Sequence, residues 1–117
     1  MKGKERVVFL DRAAFAAGDL PIPDFDHNWS EYPATEPTDL VPRLFWATTA
    51  ITHACPLDAE ALAQLHKLKR IVVTGPAAVD PAAGVADGRV VRRLPQSETP
   101  AATLIALLET LVREAEA

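Results

Sequence analysis

The chain has 117 residues, 49% hydrophobic and 24% charged, enough for one domain that buries a core without metal or disulfide staples. A formal charge of -4 argues against a nucleic-acid binder, which needs clustered Lys and Arg, and the short basic group Arg89, Arg92 and Arg93 does not change that. No apolar run approaches the roughly 18 residues of a membrane helix, and a single cysteine, Cys55, leaves no internal disulfide and fits a reducing cytosol. The expectation is a single cytoplasmic domain over residues 1–117.

Arg6-Val7-Val8-Phe9-Leu10 is a short apolar run ending at Asp11, as in a strand covered on both faces. Gly18, Pro21, Pro23 and aspartates 19, 24 and 26 then mark an irregular crossover. Trp29 to Tyr32 reads as a second strand. Thr38 is placed to cap a helix over 39–46, with Leu40 above Leu44, Val41 above Phe45, and Pro42 in the tolerant first turn. Thr48 to Thr52 is β-branched and bounded by Pro56, so it reads as a strand.

Asp58 is an N-cap candidate, and Leu57 and Leu62 occupy the two positions of a hydrophobic staple. Ile71-Val72-Val73 reads as a buried strand. A helical half-turn is expected near Asp80 to Ala83, then a strand at Val90-Val91 after the Gly88 turn. The last element is a helix from Pro100 to Glu114, with Thr99 as cap and Leu104, Ile105, Leu108, Leu111 and Val112 on a 3.6-residue period. Strands alternating with helices predict an α/β fold: three layers, a central parallel sheet and helices on both faces.

Thr52 to Leu62, with its P-L-D-A-x-x-L helix start, followed by Ile71-Val72-Val73-Thr74-Gly75 and Val79-Asp80, resembles the substrate domain of NAD-dependent D-2-hydroxyacid dehydrogenases, the glycerate dehydrogenase or hydroxypyruvate reductase kind. The likeness runs from Val8-Phe9-Leu10-Asp11-Arg12 through Thr74 to Val91, which follows T-G-x-x-N-V-D-x-x-A-A-x-x-x-G-x-x-V with Ala78 at the asparagine, to Ser97-Glu98-Thr99. It implies a flavodoxin-like domain and, in complete enzymes, an adjoining NAD-binding domain carrying the catalytic arginine, glutamate and histidine. Glycines stand at 3, 18, 75, 84 and 88, so no G-x-G turn for a pyrophosphate occurs. No catalytic residue and no resident cofactor are therefore expected, NAD entering only with a separate NAD-binding polypeptide.

The resemblance also implies a substrate-facing loop after the Ile71–Val73 strand, whose backbone N–H groups meet a small 2-hydroxy or 2-oxo acid of the glyoxylate or hydroxypyruvate type. Thr74, Gly75, Ala77 and His53 are the candidate residues, His53 lying where relatives carry asparagine followed by lysine. Pro76 removes one donor, so a weak carboxylate binder or a turn glycine at Gly75 is the simpler reading. His53 and Cys55 would share one face of an extended chain, but no second ligand pair stands at metal spacing, and no metal is expected. Asp11 reads as a solvated cap, and Asp80 as the cap of its own turn. Phe45 and Trp46 are neighbours about 100° apart on a helix, so one of the two should reach the surface. Together with Leu104, Leu107, Leu108 and Leu111 of the last helix they form the expected homodimer interface, because a broad apolar face needs covering.

Overall fold

The computed structural model describes residues 4–15, 18–77, 79 and 89–116. The expected half-turn at 80–83, its cap Asp80 and Ala78 lie outside them. Five strands, β1 (Glu5–Phe9), β2 (His27–Glu31), β3 (Thr49–Thr52), β4 (Arg70–Val73) and β5 (Val90–Arg93), form one sheet in the order β2-β1-β3-β4-β5. Every pair is parallel, with Val7 opposite both Trp29 and Thr49, and Ile51 opposite Val72. The α/β sheet read from the sequence is the sheet observed. Its strand order is that of flavodoxin-like folds, in which a crevice opens outside the carboxyl ends of the strands where the winding reverses, here between β1 and β3.

Among the described residues the α-helices are α1 (Leu40–Leu44), α2 (Ala59–Ala63) and α3 (Pro100–Glu116). Period-two alternation sorts the strand side chains into two layers. Val8, Ala50, Ile71 and Val73 meet Leu40, Leu44, Ala61, Leu62, Leu65 and Leu68 on the α1 and α2 face. Val7, Phe9, Ile51 and Val72 meet Leu104, Ile105, Leu108 and Leu111 on the α3 face. Every residue of β3 and β4 is buried, whereas the edge strands β2 and β5 are half-covered. Among the described residues no helix is long and apolar enough to cross a membrane.

A side-chain cap starts α2. The Asp58 carboxylate accepts the Ala61 N–H at 2.9 Å, and Leu57 and Leu62 are both fully buried, so the cap and staple are in place. Thr99 precedes α3, where its carbonyl accepts the Thr103 N–H at 2.9 Å while its hydroxyl lies 3.3 Å from Ser97 Oγ. The helix predicted over 39–46 is shorter. A 3-10 turn at Pro37–Asp39 leads into five helical residues, so Thr38 is inside that turn and caps nothing.

One fastening has no counterpart in the sequence pattern. Arg89, at the entry to β5, donates from Nη2 to the carbonyls of Leu62 (2.8 Å) and Leu65 (2.6 Å) and from Nε to Leu68 (3.0 Å). These carbonyls lie at and beyond the end of the short α2, where helical partners run out. A residue that composition counts among a weak basic patch is thus the closure of a helix terminus.

Candidate functional site

Asp11 stands just beyond β1 and beside the end of β3. Its carboxylate accepts the backbone N–H groups of His53 (2.7 Å), Ala54 (2.7 Å) and Cys55 (3.1 Å). The residue is only 6% exposed, so the solvated cap expected from the sequence is instead a buried anion in a nest of three amides. The cause is topological: parallel β1 and β3 are neighbours, and both chains leave the sheet at the same end. The nest bends the chain after Thr52 and fixes the course of residues 53–55.

That bend brings together the four residues expected to face a small acid. The His53 imidazole lies over Gly75 so closely that a Cβ on Gly75 would sit 2.6 Å from three ring atoms. His53 Nδ1 is 3.0 Å from Thr74 Oγ1, and its ring centroid is 6.2 Å from that of Phe15. Gly75 is therefore needed for a close approach of a side chain. The donors, however, are largely engaged within the fold. Thr74 N–H bonds the Thr52 carbonyl, and Ala77 N–H bonds the His53 carbonyl, both at 2.9 Å. Arg93 ties the same loop from β5 by donating to the carbonyls of Gly75 (3.1 Å) and Ala77 (3.2 Å). Pro76 has no N–H, which leaves Gly75 as the loop's candidate donor among the described residues. Thr74 and Ala77 lie beside His53, and their amides are engaged within the fold. The His53 ring is half-buried, with Nδ1 on the Thr74 hydroxyl and the ring face over Gly75.

Cys55 does not share a face with His53. The bend sends the thiol into the α1 and α2 layer, where Sγ is 3.8 Å from the Thr35 carbonyl, while the imidazole packs on Phe15 of the other layer. Burial pushes the thiol pKa up, and the nearby charges of Asp11 and Glu36 push it further, so it stays protonated at neutral pH and is a poor nucleophile. Among the described residues no group of three or more His, Cys, Asp or Glu is arranged to hold a metal ion.

Beside the thiol, on the α1 and α2 face, a crevice of about 830 Å³ opens at the carboxyl ends of β1 and β3. Leu40, Val41, Pro37 and Ala61 form its apolar walls, and Asp11, Asp58 and Glu60 are its charged lining. Sequence reasoning misses it. The alternation of small residues and prolines at Ala13, Ala14, Pro33, Ala34 and Pro37 is its one available signal, since such residues leave space between larger neighbours.

No family model matches the chain. A Haemophilus influenzae protein provisionally named a 2-hydroxyacid dehydrogenase is 39% identical over 70 residues, 59% of this chain and 22% of that protein. Over those residues the chain is similar to a protein of the 2-hydroxyacid dehydrogenase kind. It spans about a fifth of the length of that curated relative. A crystal structure of NAD+-bound 3-phosphoglycerate dehydrogenase from Entamoeba histolytica superposes with a TM-score of 0.60 at 19% identity, over 80% of this chain and 33% of the other. That likeness is one of fold, and it agrees with the strand order described above.

The α3 leucines expected at a partner surface are covered within the chain itself. Leu104, Leu108 and Leu111 are 0%, 1% and 4% exposed and Leu107 is half-buried, all packed in the chain's own α3 layer. The apolar stripe of the last helix covers the sheet, so those residues are not free for a second copy. Phe45 and Trp46 differ from expectation in the other direction: both reach the surface, at 42% and 60% exposure. Leu44 and Ala47 take the core positions on either side, and the two exposed rings meet edge to face at 5.2 Å, with Lys67 Nζ 6.0 Å from the Trp46 ring.

Proposed function

We propose that this chain is a substrate-domain unit of the 2-hydroxyacid dehydrogenase type that transfers no hydride by itself. The observation that carries the reading is the occupied loop after β4: His53 fills the space over Gly75, and the Thr74 and Ala77 amides are engaged within the fold. The absence of any G-x-G turn in the 117 residues supports it, because pyrophosphate needs glycine-bared amides at a helix start. The test is NADH oxidation by the purified chain with glyoxylate or hydroxypyruvate. No turnover above buffer is expected, and cofactor-dependent turnover by the chain alone would overturn the reading.

A second reading is favoured by the half-buried imidazole of His53 beside Gly75 and by the position of this edge at the carboxyl ends of parallel strands. Here the chain supplies the small 2-oxo acid side of a dehydrogenase whose NAD-binding half is a separate polypeptide. Activity then appears only in the partner's presence and falls with His53→Ala. Association between copies, if part of the function, uses the exposed Phe45–Trp46 pair and not the buried stripe of α3.

A further inference from the structure

We propose that the crevice between the β1–β3 edge and helices α1 and α2 binds a small organic ligand with an apolar body and one ammonium group. Its volume of about 830 Å³ lies within the range of roughly 300–1,000 Å³ usual for ligand pockets. The walls are Leu40, Val41, Pro37, Ala61 and the protonated thiol Cys55, so the body of the ligand is apolar.

Charge decides the head group. Among the described residues the crevice is lined by three carboxylates, Asp11, Asp58 and Glu60, and by no Lys, Arg or His. The backbone nest at this edge, which would suit an anion, already holds the Asp11 carboxylate on three amides. An incoming carboxylate or phosphate would therefore find that nest filled by Asp11 and two further carboxylates, Asp58 and Glu60, in the lining. The guanidinium of Arg43 is committed behind the wall: Nη1 donates to Ala34 O and Thr35 Oγ1, Nη2 is 3.9 Å from Asp39, and the group lies 4.0 Å over the Tyr32 ring. A cation is favoured and an anion excluded, the opposite of what the edge at His53 and Gly75 would take. The two sites share the bend held by Asp11 and lie on opposite faces of the sheet.

The experiment is an NMR titration of the full chain with n-hexylammonium chloride, matched against sodium hexanoate. Saturable amide shifts at Ala13, Ala54 and Gln64 are expected with the ammonium and none with hexanoate. Ala13→Trp and Gln64→Trp, both at exposed lining positions, should each weaken the ammonium at least tenfold by filling the space, while Glu60→Gln should weaken it about 1.5- to 5-fold, as for an exposed ion pair. Hexanoate binding as tightly as the ammonium, ammonium binding unchanged in both tryptophan variants, or no saturation up to tens of millimolar would each overturn the proposal.

Discussion

At the amino ends of the strands a buried charge is met by another side chain, whereas at the carboxyl ends it is met by backbone. Arg70, 3% exposed at the start of β4, pairs with Glu5 at the start of β1 (2.5 Å) and donates to Thr49 Oγ1 (3.0 Å), while Thr48 Oγ1 donates to Glu5 (2.8 Å). Asp11, at the far end of β1, rests on the amides of the β3 loop. The first arrangement staples three strands and leaves no loop to reshape. The second determines the course of the chain after Thr52, and with it where His53 and Cys55 go. Stability alone is at stake at one end, and stability and ligand access together at the other.

The contrast breaks most visibly at Arg70. Arg70→Ala leaves the half-buried Glu5 without its cation and should cost about 3 kcal/mol, read as a lowered urea midpoint. Next is Asp11→Ala, which strands three amides and should cost about 2–3 kcal/mol. Unlike Arg70→Ala, it should also shift the His53 and Cys55 resonances. Gly75→Ala should cost about 1–3 kcal/mol, since a Cβ there collides with the imidazole, and His53→Ala in the same chain should recover much of that loss.

Acid sharpens the same contrast. Burial pushes the Glu5 carboxyl up, but its bonds to Arg70 and Thr48 and the charges of Arg70 and Lys69 outweigh this, and its pKa lies below the ordinary value. A carboxyl with a depressed folded pKa adds stability that is complete above its unfolded pKa and is lost as pH falls through the folded one. Acid should therefore weaken the wild type through Glu5, and Arg70→Ala should remove that part of the pH dependence. The smallest effect is at the surface. Phe45→Ser with Trp46→Ser should change stability by no more than about 0.5 kcal/mol, while lowering any oligomeric mass seen by light scattering at tens of micromolar.

Residues whose role is set by local pattern are legible in the sequence. The apolar run of β4, the Asp58 cap with its Leu57 and Leu62 staple, and the 3.6-residue stripe of α3 all stand where the pattern puts them. His53, Thr74, Gly75 and Ala77, grouped in the sequence only through the family likeness, are neighbours in the structure. The features that are not legible depend on residues distant in the chain. Asp11 is over forty positions from the amides it holds, and Arg89 over twenty from the carbonyls it closes. The α3 stripe reads as a partner surface because periodicity gives the width of an apolar face and not the element that covers it. Phe45 and Trp46 both reach solvent because Leu44 and Ala47, on either side of them, take the core positions.

The occupied loop beside Gly75 is tested most directly by titrating hydroxypyruvate into the isotopically labelled chain and following the Thr74 and Ala77 amides. Both should stay unmoved to millimolar concentration, because Thr52 and His53 carbonyls hold them. Saturable shifts at both amides would mean that the loop opens to a carboxylate, and the account of a filled cradle would be wrong.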